Sequence, residues 1–417
     1  MVEGETGRND PGHEAHMQYP QRFSDLPEYA FPRLRALLDP VSPGGEPLPM
    51  SIGEPMHPLP PMLDEVLAQN TAGFAKYPPN EGVPALRSAI CDWVSRRYQV
   101  ELDADRHILP LNGTREGLFA ACVALVPETK NGARPVVLLP NPFYQCYAVS
   151  AMTAGAQPVY VPATADNGFL PDFAAVPRDL LERTAAVYMC SPANPQGAVA
   201  DESYWNDLLN LAEEHDFRIF ADECYSEIYR DKPPVGALSV ARDHDPERVM
   251  AFHSLSKRSN LPGLRSGFCA GGPRTIAAMK QLRSYAGAPL PIPAQMAAAA
   301  VWADEAHVDA NRALYAEKFD LADRILADMP GYTSPQAGFF LWIAVRDDEE
   351  MTVRLWREDG VKVLPGSYLS RDTDPRLGGG NPGAGYIRVA LVAPKQDVAR
   401  GLQAIRAQIE SERGAAT

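Results

Sequence analysis

No apolar run in the chain approaches the ~20 residues that a membrane span requires, and no charged-then-apolar leader opens it. A cytoplasmic protein with no membrane partner is the expectation. Basic excess is also missing. The 39 Lys and Arg face 53 Asp and Glu, and a net charge of −14 argues against nucleic acid as partner. The six cysteines (91, 122, 146, 190, 224 and 269) contain no C-x-x-C pair and no zinc spacing. They lie in apolar text such as VYMC at 187–190, so reduced, buried thiols are expected. The eight histidines form no ligand cluster. His13 and His16 are neighbours only within a polar stretch, and no metal is expected. The glycines of segment 370–385 lack the strand-to-helix setting and the Gly-Lys-Ser/Thr of a phosphate loop, so that segment reads as a flexible loop without chemistry.

What is there is a long, apolar-rich chain. At 417 residues, with 45% hydrophobic, it can bury a sizeable core and fill two or three domains. Residues 1–18 are polar, with no apolar period, and read as a mobile tail in which Met17 is an alternative start. FPRLRALL (31–38) has a short helical pattern, and the proline-rich text from 41 to 61 reads as an extended arm. Helices are expected over 61–70 and 83–98; in the second, Leu86, Ile90, Trp93 and Val94 share one face.

From about residue 107 short β-rich runs alternate with helical text. Strands are expected at 107–111, 135–140, 158–163, 185–190, 217–222 and 248–254, with helices at 114–126 and 201–215 between them. This alternation argues an α/β fold on a mostly parallel sheet, whose ligands bind at the carboxyl ends of the strands. Those ends carry Asn112-Gly113, Asn141-Pro142, Asn194, Asp222 and Ser254–Lys257. After about 290 comes long helical text (294–329). Strands at 338–345, 361–366 and 386–392 and a helix at 396–410 follow, making a second, smaller α+β unit.

One stretch concentrates the chemistry: VMAFHSLSKRSNLPGLRSGF, residues 249–268. A buried strand runs into Ser254, Ser256 and Lys257, and Arg265 follows a Pro-Gly turn. A lysine at a buried strand end is costly unless paired, exposed or chemically used, and amine–aldehyde condensation is one such use. Two hydroxyls and a guanidinium fork match a phosphate dianion. An aldehyde-binding lysine beside a phosphate cup describes pyridoxal 5'-phosphate. Gly113, Thr114 and Arg115 open a helix, whose backbone N–H groups suit the same phosphate. Asp222, ending an apolar strand, suits the cofactor's ring nitrogen.

Ser-Leu-Ser-Lys followed by Arg265 resembles the signature of class I aminotransferases of fold type I. The string SLSKRSNLPGLRSGF is closer still to bacterial succinyldiaminopimelate aminotransferases. The resemblance spans roughly 25–410 and implies a large domain with a mostly parallel sheet plus a smaller α+β domain. The boundaries expected are the tail 1–18, an arm 19–55 joining the small domain, a cofactor-binding domain 56–290 and a small domain 291–417.

By the same resemblance, Asp222-Glu223-Cys224-Tyr225 matches the family's D-E-x-Y, which gives Tyr225 the cofactor's phenolic oxygen. Asn194, in SPANPQG, resembles the N-P-x-G turn and serves that same oxygen as well as the substrate. Tyr144 would stack on the ring. Arg388 would clamp the substrate α-carboxylate, with Gly53 meeting it by its backbone. Tyr77 would reach the partner's phosphate in a homodimer with composite sites. The implied reaction is transamination between an amino donor and a 2-oxo acid acceptor, with N-succinyl-diaminopimelate and 2-oxoglutarate expected. The rival readings are an aspartate, aromatic or kynurenine aminotransferase, a β-lyase on cysteine-type substrates, and a ligand-sensing regulator without activity. For the distal carboxylate shared by both expected substrates, the candidate arginines are Arg33, Arg35, Arg258 and Arg283.

Overall fold

In a computed structural model that describes residues 20–24 and 26–414, the short apolar runs become strands. Among the described residues these are β1 (Leu48–Pro49), β2 (Ile108–Leu111), β3 (Val136–Asn141), β4 (Gln157–Pro162), β5 (Thr184–Cys190) and β6 (Arg218–Asp222). They continue with β7 (Val249–Ser254), β8 (Gly267–Gly271), β9 (Phe340–Ala344), β10 (Val361–Lys362), β11 (Leu364–Pro365) and β12 (Tyr386–Ala390). The stretch read as a tail, with Met17, lies outside the described residues.

Seven strands form the main sheet in the order β2-β8-β7-β6-β5-β3-β4. The run from β7 to β4 is parallel, and β8 is antiparallel to both of its neighbours. β3, β5 and β7 are buried along their whole length, as expected of strands covered by helices on both faces. The six strands expected between 107 and 254 are all present within one residue of their expected ends.

β8 was not anticipated, because Gly267-Phe-Cys-Ala-Gly271 has little β propensity. Its glycines are needed for close approach. A Cβ on Gly267 would meet the His253 carbonyl at 2.7 Å, and one on Gly271 the Val249 carbonyl at 2.5 Å. Two further expectations are corrected. The text 294–329 divides at Asp304–Glu305 into helices Ile292–Ala303 and Ala306–Leu326. The strand expected at 361–366 divides into β10 and β11, which belong to different sheets.

The carboxyl-terminal part builds an antiparallel sheet, β11-β12-β9, backed by the helices Asp348–Asp359 and Lys395–Gly414. Val398, Leu402, Ile405 and Ile409 of the last helix are all buried in its core. The helix Ala30–Leu38 sets Leu34 and Leu38 against Trp356, Leu364 and Tyr368, and β1 pairs in parallel with β10. The early chain is thereby held against the late chain, and residues 29–31 and 52–53 reach the rim of the main sheet.

Candidate active site

The carboxyl ends of β5, β6 and β7 open into a cavity of about 310 Å³. Lys257 enters it from the short helix Leu255–Arg258 that follows β7. Its Nζ donates to the Gly53 carbonyl and lies 5.3 Å from the centroid of the Phe339 ring. Burial brings the amine down to about 8, with the Arg388 and Arg265 charges adding to the effect. A lysine held there is a ready nucleophile and proton carrier near neutral pH.

Ser254 caps that helix by accepting the Ser256 N–H at 3.1 Å, and both hydroxyls line the cavity. Arg265 sits in the left-handed region, φ 55°, which turns its guanidinium back over the start of helix Thr114–Leu125. Gly113 precedes that helix at φ 79°, and a Cβ there would collide with the Arg265 guanidinium. Glycine is required at this point by both conformation and space. Helix-start N–H groups, two serine hydroxyls and a guanidinium whose one acceptor among the described residues is the Pro262 carbonyl, at 2.9 Å, therefore converge in one cup. Thr114 uses its hydroxyl on the Cys224 thiol, 3.2 Å away.

At the end of β6, Asp222 is buried. It accepts the Tyr147 hydroxyl at 2.5 Å on Oδ2 and the Cys224 N–H at 3.3 Å on Oδ1. Burial raises its pKa, and the two donors work against that rise. No ion pair to this carboxylate is formed among the described residues, so a cationic ring nitrogen would complete it. Tyr147 stacks flat on Tyr188, with centroids 4.5 Å apart and planes at 9°.

Arg388 has the mirror-image deficit. It is 5% exposed, donates to Asn194 Oδ1 at 3.1 Å and to the Ser51 carbonyl at 2.8 Å, and lies 4.2 Å from the Phe340 ring centroid. Its Nε is buried without a partner among the described residues, and burial lowers its pKa to about 10. No carboxylate pairs with it among the described residues. A buried guanidinium in that state calls for an anion from outside the chain. Gly53 lies beside it, and a Cβ there would run into Phe339 and Phe340.

The cavity thus brings together Lys257, Asp222, Tyr225, Asn194, Thr114, Arg115, Tyr144, Ser254, Ser256, Arg265, Gly53 and Arg388, with Gly113 directly behind Arg265. Tyr77 stands apart, fully exposed and outside the cavity. Phe143 turns into the core against Tyr160, 4.9 Å between centroids, while the Tyr144 hydroxyl accepts the Arg115 Nε–H at 2.5 Å. Cys122, Cys190 and Cys269 are buried, Cys91, Cys146 and Cys224 half-buried, and all six are unpaired.

None of the four arginines named for a distal carboxylate lines this cavity. Arg258 is buried on Glu305 at 2.8 Å, and Arg283 on Glu116 at 2.6 Å. Arg33 pairs with Glu28 and stacks on Tyr368, and Arg35 is exposed on its helix. Sequence reasoning missed Tyr147, although its spacing of three from Tyr144 puts it on the helix turn next to that ring. It also missed the lining side chains Tyr29, Phe31, Ile52 and Phe340, whose placement depends on contacts distant in sequence.

The donor set fits pyridoxal phosphate: an activated lysine, an anion cup, and, among the described residues, a buried carboxylate lacking a cation and a buried guanidinium lacking an anion. Comparison with known proteins agrees. Residues 46–405 match the family model for aminotransferase class I and II. The chain is 32% identical over 396 residues to an LL-diaminopimelate aminotransferase of Dehalococcoides mccartyi, covering 93% of this chain and 97% of the relative. An enzyme of that name from Desulforudis audaxviator is 33% identical, with 93% and 96% covered. Among solved structures, an aminotransferase from Neisseria meningitidis superposes with a TM-score of 0.88 at 38% identity, covering 93% of this chain and 99% of that one. The aminotransferase AspB from Helicobacter pylori gives 0.85 at 32% identity, with 94% and 100% covered. A family match across most of the chain, on a fold and a site that suit its cofactor, leads to one conclusion: this chain belongs to the class I and II aminotransferases and is a pyridoxal-phosphate-dependent enzyme.

Proposed function

We propose that the chain transaminates N-succinyl-LL-2,6-diaminopimelate, with 2-oxoglutarate and glutamate as the other pair, in lysine and cell-wall precursor synthesis. The observation that carries this reading is the make-up of the cavity wall. Its apolar lining includes Tyr29, Phe31, Ile52, Phe340 and Leu369, and among the described lining residues Asp222, which is buried, is the one carboxylate. Free diaminopimelate would bring a distal ammonium to a wall without an acid to receive it. Succinylation turns that ammonium into a neutral amide and adds a succinyl carboxylate to the one the distal carbon already bears.

Pyridoxal phosphate, when bound, supplies the electron sink that stabilises negative charge at the donor's Cα. Ser254, Ser256, Arg265 and the N–H groups at Gly113–Arg115 would hold its phosphate. Asp222 would hold the proton of its ring nitrogen, Asn194 and Tyr225 its phenolic oxygen, and Tyr144 its ring face. Arg388 orients donor and acceptor alike through the α-carboxylate. Lys257, as neutral amine, takes the Cα proton and, as ammonium, returns one. Tyr77, exposed and outside its own cavity, supports a homodimer in which it serves the partner's cup. Mixing Lys257→Ala chains with Tyr77→Ala chains should restore activity through hybrid sites, and a fully active monomer at assay concentration excludes that arrangement.

A second reading, free LL-diaminopimelate as donor, is favoured by the names of the relatives in Dehalococcoides mccartyi and Desulforudis audaxviator. One panel decides between them. Purified enzyme is assayed with N-succinyl-LL-diaminopimelate, LL-diaminopimelate, aspartate, phenylalanine and kynurenine, each with 2-oxoglutarate. The succinylated donor is expected to lead in kcat/KM; equal or better turnover of the free diamino acid overturns the proposal. Pyruvate and ammonia released from cysteine-type substrates without an oxo acid would mark a lyase instead.

A further inference from the structure

Among the described residues, four cations line the catalytic cavity: Lys257, Arg388, Arg265 and Arg115. Three have work that accounts for their placement. Lys257 is the reacting amine, Arg388 lies against Asn194 and Ser51 in a buried slot, and Arg265 leans over the helix start at Gly113. Arg115 is left over.

Its backbone belongs to the phosphate cup, but its side chain leaves in another direction. The Nε–H donates to the Tyr144 hydroxyl at 2.5 Å, and the guanidinium carbon lies 5.9 Å from that ring's centroid. No acid pairs with Arg115 among the described residues. Both terminal nitrogens are without a hydrogen bond there. A planar fork steadied through Nε, with its Nη1–Nη2 end free, is a geometry that receives a carboxylate by two bonds.

Its position suits a substrate's far end. A second cavity of about 650 Å³ adjoins the first, and Tyr29, Arg115, Tyr144, Gln145 and Arg265 line both. Arg115 therefore stands at the passage between them, while Arg388 occupies the first cavity alone. Arg283 also lines the second cavity, but its charge is already spent on Glu116 at 2.6 Å and the Pro110 carbonyl at 2.6 Å.

We propose that the side chain of Arg115, steadied by the Tyr144 hydroxyl, receives the carboxylate remote from the reacting carbon and selects dicarboxylic donors and acceptors. This rests on the reading above that both substrates carry such a group. It also explains how one site accepts a long acylated donor and a short 2-oxo diacid in turn, since a fork at a passage can be met from a compact or an extended chain.

The test compares 2-oxoglutarate with pyruvate as acceptor, with one common donor and the holoenzyme. Arg115→Met keeps the length of the stem and removes the charge; Tyr144→Phe keeps the ring and removes the hydroxyl. In Arg115→Met the 2-oxoglutarate-to-pyruvate ratio of kcat/KM is expected to fall by about tenfold or more, through the KM for 2-oxoglutarate. Tyr144→Phe should move the ratio in the same direction by a smaller factor, and Arg115→Lys should retain part of it. An unchanged ratio overturns the proposal. So does an equal fall for both acceptors together with weakened cofactor retention by dialysis, which would place the side chain in the phosphate cup. Turnover of N-succinyl-LL-diaminopimelate by the unaltered enzyme is read separately. If it fails while the ratio still collapses in Arg115→Met, the substrate reading falls and the role of Arg115 stands.

Discussion

The two walls of the catalytic cavity are built in opposite ways. The cofactor wall comes from one sheet: Ser254, Ser256, Lys257 and Arg265 fall within twelve consecutive residues at the end of β7, and Gly113, Asn194 and Asp222 stand at the ends of other strands of that sheet. The substrate wall is assembled from afar. Arg388 reaches Asn194 across 194 positions and the Ser51 carbonyl across 337. A wall made from the strand ends of one sheet is set once that sheet forms. A wall made from an arm, a turn and a strand of another sheet exists only when all three dock. Damage to the first wall should therefore abolish chemistry, and damage to the second should weaken substrate binding.

The largest expected effect breaks the first wall. Lys257→Ala removes both nucleophile and proton carrier and should lower turnover by on the order of 10⁴-fold or more. Steady-state assay and loss of the borohydride-reducible cofactor linkage would check it. A reducible linkage surviving at another lysine would overturn the assignment.

Next comes the second wall. Arg388→Ala should cost ~2–5 kcal/mol of substrate binding, because it removes one partner of a desolvated carboxylate pair. The loss should appear in KM while the cofactor's visible absorbance is retained. Bleaching of that absorbance would show the two walls to be one cooperative unit.

A pH series sharpens the contrast without mutation. The Lys257 amine, depressed by burial to about 8 in the cofactor-free protein, is protonated below that value and neutral above it. The neutral amine is the nucleophile, so the rate of pyridoxal phosphate addition should rise about tenfold per pH unit below 8 and level off above it. Stopped-flow absorbance reads this directly. A rate still climbing toward pH 10 would show an amine with its ordinary pKa.

The smallest effect concerns Tyr147→Phe, which deletes one hydrogen bond to Asp222 at a cost of about 1–3 kcal/mol. The Tyr147 hydroxyl favours the ionised carboxylate, and burial opposes it. Without that donor the Asp222 pKa should rise further, so the acid limb of the kcat profile should move to higher pH. A profile that falls in height without moving would make Tyr147 a packing residue only.

The same contrast explains what could be read in advance. Strand and helix periods depend on neighbouring residues, so the parallel sheet, the lysine after β7 and the carboxylate ending β6 were legible before any contact was known. β8 was not, because its glycines answer to the carbonyls of β7 and to Thr114 rather than to a local pattern. The long arginines were the least legible of all. Arg258 is taken by Glu305, 47 residues on, and Arg283 by Glu116, 167 residues back. Arg115, assigned from sequence to the cup by its backbone, has a side chain that turns to Tyr144.

By itself, then, the sequence determined the sheet's apolar strands, the polar groups at their ends and the Lys257–Arg265 stretch, since each follows from residue type and short-range spacing. Only the tertiary structure decided which charges remain unpaired among the described residues: Arg388 without an acid, Asp222 without a cation, Arg115 with a free fork. Pairing of long side chains is settled by whichever opposite charge the folded chain brings within a few ångströms, and separation in sequence carries almost no information about that distance.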